Sequence, residues 1–169
     1  MSADRVSVVE RLAAVDAIRA VAMRYAHGVD RLDGDWMKSA YWPEATDDHG
    51  VFVGNAWEFV DRCMESHGRW RSTMHCIFNH QIDVDDADRA RGEIYNVTYL
   101  FHADAPAVDV WVGRYLDSYE RRNGEWRITH RVCVHEGTTT STSGPMAIAA
   151  DRFRQGAFDR PSAHRPLGP

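Results

Sequence analysis

"VDVWVGRYLDSYERRNGEWRITHRVCVHEG", residues 108–137, is two runs of alternating, β-branched and aromatic residues joined by Asn123-Gly124. An Asn-Gly pair between two such runs signals a tight β-hairpin, because both residues tolerate positive φ. Two earlier runs share the texture: "RSTMHCIFNHQIDV" (71–84) and "ARGEIYNVTYLFHA" (90–103). The first is closed by the turn-formers "DDAD" and the second by "DAPA". The second half of the chain therefore reads as four consecutive strands. Toward the N-terminus the pattern changes. Val8, Leu12, Val15, Ile18, Ala22, Tyr25 and Val29 advance by steps of three or four, which predicts one buried face on a long helix ending near Gly28.

Between these halves, "DGDWMKSAYWPEA" predicts a short helix from Asp35, stopped by Pro43, and "ATDDHGVFVG" a single short strand. "NAWEFVDRCMESHG" predicts a third helix, capped by Asn55 and ended by Gly68. Helices followed by strands imply an α+β domain, with helices against the concave face of a curved antiparallel sheet and a pocket between the layers. The domain is expected over residues 1–145. Residues 146–169 are expected to form an amphipathic helix ("PMAIAADRFRQGAF" begins at 145) and a Pro-rich tail, "DRPSAHRPLGP".

The 169 residues suffice for one domain with a real core. A formal charge of −5 argues against nucleic acid as a partner. Charges at Asp4, Arg5, Glu10, Arg11, Asp16 and Arg19 interrupt the N-terminus, so no secretory h-region is read there. No stretch approaches the roughly 20 apolar residues of a membrane span, and a soluble, cytoplasmic protein without membrane partners is expected. Cys63, Cys76 and Cys133 are odd in number and lack CxxC spacing, which reads as reduced packing residues. His27, His49, His67, His102, His135 and His164 show no paired ligand spacing, and no metal is expected.

Asp30 falls at the C-terminal end of the first helix, where the macrodipole disfavours an anion; a carboxylate aimed at a histidine would explain it. Strict alternation on "STMHCIFNH" puts His75, Ile77, Asn79 and Gln81 on one face and Met74, Cys76, Phe78, His80 and Ile82 on the other. Each face then holds one imidazole, and strand geometry does not choose between His75 and His80 as a general base. On the last strand alternation groups His130 with Trp126 and Ile128, opposite Arg131, so one of the two enters the pocket. A buried arginine needs an anion, which makes Arg131 a candidate clamp. Tyr25, Tyr41 and Trp42 flank Asp30 and suit an apolar, ring-bearing ligand.

"RYAHGVD", the "YW" after it, "STMHCIFN" and "YERRNGEWRITHR" together resemble the SnoaL-like branch of the nuclear transport factor 2-like superfamily, over about Ala14 to Val134. The likeness is to its hexachlorocyclohexane dehydrochlorinase and scytalone dehydratase members. In the dehydrochlorinase pattern an aspartate after "GV" pairs with a histidine in "T-x-H", which here are Asp30 and His75. The family's arginine falls on Arg131 and its tryptophan on Trp42. Where the dehydrochlorinases carry a basic residue five before the aspartate, this chain has Tyr25, a departure that resembles the dehydratases.

The resemblance implies a cone-shaped α+β barrel without metal or organic cofactor. It implies a lyase in which His75 takes a proton from carbon, Asp30 steadies the imidazolium, and Tyr25 or Arg131 stabilises the departing oxygen or halide. Trp42, Tyr41, Ile77, Tyr99 and Trp111 are the expected substrate-binding residues, for a small hydrophobic, aromatic or cyclic compound. Two rivals stand beside this reading. One is a ketosteroid-type isomerase or polyketide-type cyclase; the other is a non-catalytic ligand-binding or assembly module, in which Asp30 and His75 would not touch. Phe78, Trp111 and Tyr115, read as facing away from the helices, point to a homotrimer or homodimer.

Overall fold

The chain opens on a capping box: Ser7 Oγ accepts the Glu10 amide at 3.2 Å, and Glu10 accepts the Ser7 amide at 2.9 Å. From there α1 (Val8–Asp30) runs 23 residues and buries Ala14, Ile18, Val21, Ala22, Tyr25 and Val29. Val8 and Leu12, which continue the apolar stripe, are exposed: the stripe is longer than the surface that covers it. The next elements are α2 (Gly34–Lys38), β1 (Tyr41–Asp48), β2 (Val53–Asn55), α3 (Ala56–His67), β3 (Trp70–Val84), β4 (Arg89–His102), β5 (Ala107–Arg122) and β6 (Glu125–Thr142). They come from a computed structural model that describes residues 6–144; the expected C-terminal helix and tail lie outside the described residues.

The six strands form one curved, unclosed sheet in the order β2-β1-β6-β5-β4-β3. β3 to β6 are the expected antiparallel meander. The β5–β6 turn has Asn123 at φ 53° and Gly124 at φ 84°, so the Asn-Gly pair supplies the two left-handed residues the hairpin needs. The helices α1 and α3 cover the inner face, and the core lies between.

Three expectations are corrected. The stretch expected as one strand is two, β1 and β2, paired antiparallel through the turn at His49–Phe52. The short helix ends at Lys38, and Tyr41, Trp42 and Pro43 belong to β1. Pro43 is tolerated there because residues between Tyr41 and Thr46 fall in a register break and need donate no ladder bond. Finally, β1 pairs with β6 in parallel, so the sheet is mixed.

Two bulges decide which side chains face inward. From Ile77 to His80, β3 spends three residues against two of β4 (Asn96 to Ile94). Thr73, His75 and Ile77 point inward before this break, and His80, Ile82 and Val84 after it. Both imidazoles therefore turn inward, contrary to strict alternation. On β6 the extra residue is Thr129, between Ile128 (opposite Tyr119) and His130 (opposite Ser118). That bulge aligns Arg131 with Trp126 and Ile128 on the inner face and turns His130 out to Thr46, at 2.7 Å.

Candidate active site

α1 delivers Asp30 as its last residue, against the start of β3. Three donors converge on this carboxylate: Thr73 Oγ1 at 2.8 Å, the His75 backbone amide at 2.8 Å, and His75 Nδ1 at 2.7 Å. Burial alone would raise the Asp30 carboxyl, but the His75 and Thr73 hydrogen bonds and the facing imidazole hold it below the ordinary range. Arg31 reaches back to the Asp30 carbonyl at 2.8 Å and satisfies the helix end. Because Nδ1–H donates to Asp30, the neutral His75 ring presents an unprotonated Nε2.

His75 lines a cavity of about 140 Å³ between α1, α3 and the inner sheet face. Its walls are Tyr25 and Val29 from α1, Phe59, Cys63 and His67 from α3, and His49 from the β1–β2 turn. The sheet adds Thr98, Leu100, Trp111, Tyr115 and Cys133. The volume compares with the cavity of about 150 Å³ that accepts a benzene ring in an engineered protein core. Trp111 lies across Gly113, where a Cβ would stand 2.1 Å from the indole and 2.2 Å from the Val134 carbonyl. Gly113 thus lets the indole and the neighbouring backbone occupy their places.

Of the expected site residues, the structure brings together Asp30, His75, Tyr25 and Trp111. Arg131 lies one layer deeper, wholly buried, with bidentate contacts of 2.7 Å to Asp117. Its guanidinium carbon stands 4.3 Å from the Tyr25 ring centre and 3.9 Å from that of Tyr115. Arg131 therefore backs two wall residues without forming the wall itself. Tyr41 is fully buried and donates to Asp47 at 2.7 Å. Trp42 is away from the cavity, bonded to the Glu120 carbonyl at 3.1 Å and flanked by Arg122 and Arg127. Ile77 packs against the core and Tyr99 alternates with the wall residue Thr98, so neither lines the cavity. The expectation that Trp111 and Tyr115 face away from the helices is also corrected: both line the cavity, and Tyr115 is buried.

The wall contributed by α3 and the β1–β2 turn was not anticipated from the sequence. Phe59, Cys63 and His67 recur at i, i+4, i+8 on α3, one stripe ending in an imidazole; the periodicity was the available signal. His67 Nδ1 contacts the Cys63 carbonyl at 3.1 Å, and its ring lies 6.5 Å from that of His75. Burial, then the neighbouring His75, pushes the His67 pKa down to about 4, so this ring stays neutral beside the dyad. His49 contacts Asp47 through Nδ1 and lies 3.4 Å from the Tyr25 hydroxyl through Nε2. Burial raises the Tyr25 phenol well above its ordinary value, which keeps it a proton donor. Among the described residues no group of three or more His, Cys, Asp or Glu has the geometry to hold a metal ion. Nor is any described helix long and apolar enough to cross a membrane.

A curved sheet covered by helices over a cavity lined by a carboxylate-bonded imidazole defines a class of small pocket-bearing α+β domains. The SnoaL-like domain family matches residues 10–132, and the chain belongs to that family. No curated protein matches the sequence. Solved structures share the fold at low identity. A type 2 hexachlorocyclohexane dehydrochlorinase (LinA) aligns with TM-score 0.75 and 20% identity over 85% of this chain and 99% of its own. A candidate scytalone dehydratase of Novosphingobium aromaticivorans DSM 12444 gives 0.73 and 17% over 85% and 99%. The type 3 dehydrochlorinase of Novosphingobium barchaimii LL02 gives 0.73 and 20% over 85% and 100%.

Proposed function

We propose that this protein is a cofactor-independent lyase that removes a proton from carbon and expels a leaving group from a small, cyclic, hydrophobic substrate. The observation that carries this is the Asp30–His75 contact of 2.7 Å at the wall of a largely apolar cavity. Asp30 fixes the His75 tautomer with Nε2 free, and the same carboxylate stabilises the imidazolium once Nε2 has taken the proton. Tyr25, protonated and edge-on to His75 with ring centres 6.3 Å apart, offers a donor to the developing anion. The Arg131–Asp117 pair holds Tyr25 and Tyr115 in place, and the cationic guanidinium strengthens the Tyr25 donor. Similarity to proteins named as a dehydrochlorinase and a candidate dehydratase accords with elimination. Contact between Asp30 and His75 weighs against a module that merely holds ligand.

A panel of hydroxylated aromatic and terpenoid compounds, incubated with wild type and His75→Ala and read by mass spectrometry, tests this. Wild type is expected to yield a product lighter by the expelled group, and His75→Ala, still folded, to yield none. A positioned base contributes about 10²–10⁴ in rate, so an alanine variant with full activity sinks the proposal. A product of unchanged mass would make the protein an isomerase or cyclase using the same cavity.

A further inference from the structure

His67, the imidazole of the α3 wall, has its tautomer fixed by one contact. A backbone carbonyl only accepts, so the 3.1 Å contact between His67 Nδ1 and the Cys63 carbonyl puts the ring proton on Nδ1. Ser66 Oγ lies 3.4 Å from the same nitrogen and gives its own hydrogen to that carbonyl, also at 3.4 Å. With Nδ1 turned back onto the last turn of α3, the opposite edge of the ring, which carries Nε2, is left to the cavity that His67 lines. Among the described residues nothing bonds this Nε2. The ring lies 29° from the plane of His75 across the same space.

His67 Nε2 therefore presents a lone pair and no proton. Burial, His75 and the Arg69 cation oppose a second proton on the ring, while the Cys63 carbonyl and Asp30 favour one; the balance keeps the ring neutral at neutral pH. Resting on the reading of His75 as the base, we propose that His67 is a specificity-determining residue. Its Nε2 accepts a hydrogen bond from a neutral hydroxyl or ring N–H of the substrate and so holds a neighbouring C–H against His75. Both imidazoles line one cavity of about 140 Å³, within the span of a single six-membered ring.

A lone-pair acceptor in this place selects by what it refuses. An ether or a plain hydrocarbon has no proton to give, and a carboxylate or phenolate sets its own lone pairs against Nε2 in a largely apolar space. The substrate class narrows to phenols, cyclic alcohols and ring N–H compounds taken up uncharged. Donation to Nε2 makes the bound oxygen richer in electrons and a poorer leaving group. The hydroxyl that His67 reads therefore stays on the product, and the expelled group lies elsewhere on the ring. Tyr25, kept protonated on the α1 wall, supplies the complementary donor, so the cavity reads a donor on one side and an acceptor on the other.

Phenol and toluene, alike in size and different in the donor, are the probes. Histidine-labelled full-length protein, read by nitrogen NMR at about pH 7, is expected to show His67 protonated at Nδ1 alone. Phenol is expected to move the His67 Nε2 signal toward the protonated range, and toluene to leave it in place. His67→Phe keeps a ring in the wall and removes the acceptor; by calorimetry it is expected to bind phenol about five- to tenfold more weakly and toluene within about twofold of wild type. A His67 protonated at Nε2, an Nε2 signal that phenol does not move, or equal losses for both probes overturns the proposal. The wild-type spectra stand without any variant. These arms read binding alone, whereas the reading of His75 as base falls only if His75→Ala keeps full activity, which separates the two failures.

Discussion

Asp30 occupies a position that local rules disfavour, the last residue of a helix, where the macrodipole repels a carboxylate. Three hydrogen bonds from Thr73 and His75 offset that cost and explain why the side chain stays ionised. His67 makes the complementary case. Its neutrality beside His75 keeps a second cation away from an imidazole that must accept a proton, and it has a measurable consequence. The His67 pKa falls from 6.5 in the unfolded chain to about 4 in the folded one. The unfolded state therefore binds the proton first, so this stability is complete above about pH 6.5 and drains away as the pH falls toward 4. Urea unfolding between pH 7 and pH 4 should show a loss of at most about 3 kcal/mol from this residue. His67→Gln should flatten that part of the curve. An unchanged slope would mean the ring is not held neutral.

The β5–β6–β1 register places Asp117, Arg131 and Asp47 side by side on the inner face, with Arg131 and both carboxylates shut away from water. Arg131→Met leaves Asp117 charged and unpaired in the core, a change that destabilises by about 3–5 kcal/mol. Pairing it with Asp117→Leu should recover much of the loss, since an apolar replacement removes the stranded charge. Thermal and chemical denaturation of both variants measure this, and a neutral single substitution would show the pair to be dispensable. The same register explains what was legible in the sequence. The Asn123-Gly124 hairpin, the capping residue Asn55 and the four-strand run are local signals, and they appear in the fold much as written. The facing of His80, His130 and Arg131 was not legible, because each bulge arises from counting residues against a neighbouring strand. The parallel β1–β6 pair was hidden for the same reason, since alternation marks a strand without naming its partner. Asp30 and His75 were found through a family pattern. His49 escaped because its partner Asp47 sits in a stretch whose division into two strands is set by a turn.

At the scale of the molecule, the described helices cover one face of the sheet, and no described element packs on the other. Met74, Phe78, Tyr95, Val112 and Leu116, on β3, β4 and β5, are 38–55% exposed and fall on the outer side of neighbouring strands. Single exposed apolar residues are ordinary, but five on three adjacent strands, on one face, are more than a surface usually leaves open. Arg114 lies across the Tyr95 ring and bonds Glu93 and Glu136, which sets a polar border within this face and gives a partner both apolar and charged contacts. A second copy of the chain is the partner expected, with closed symmetry that buries the same residues on each subunit. Light scattering should then return a multiple of 19.2 kDa. The double variant Phe78→Lys/Leu116→Lys should return the single-chain mass, with an unchanged circular dichroism spectrum because neither side chain touches the core. A wild-type mass of one chain at micromolar concentration would show that the outer face stays open, and activity surviving in the double variant would show that the cavity needs no neighbouring subunit.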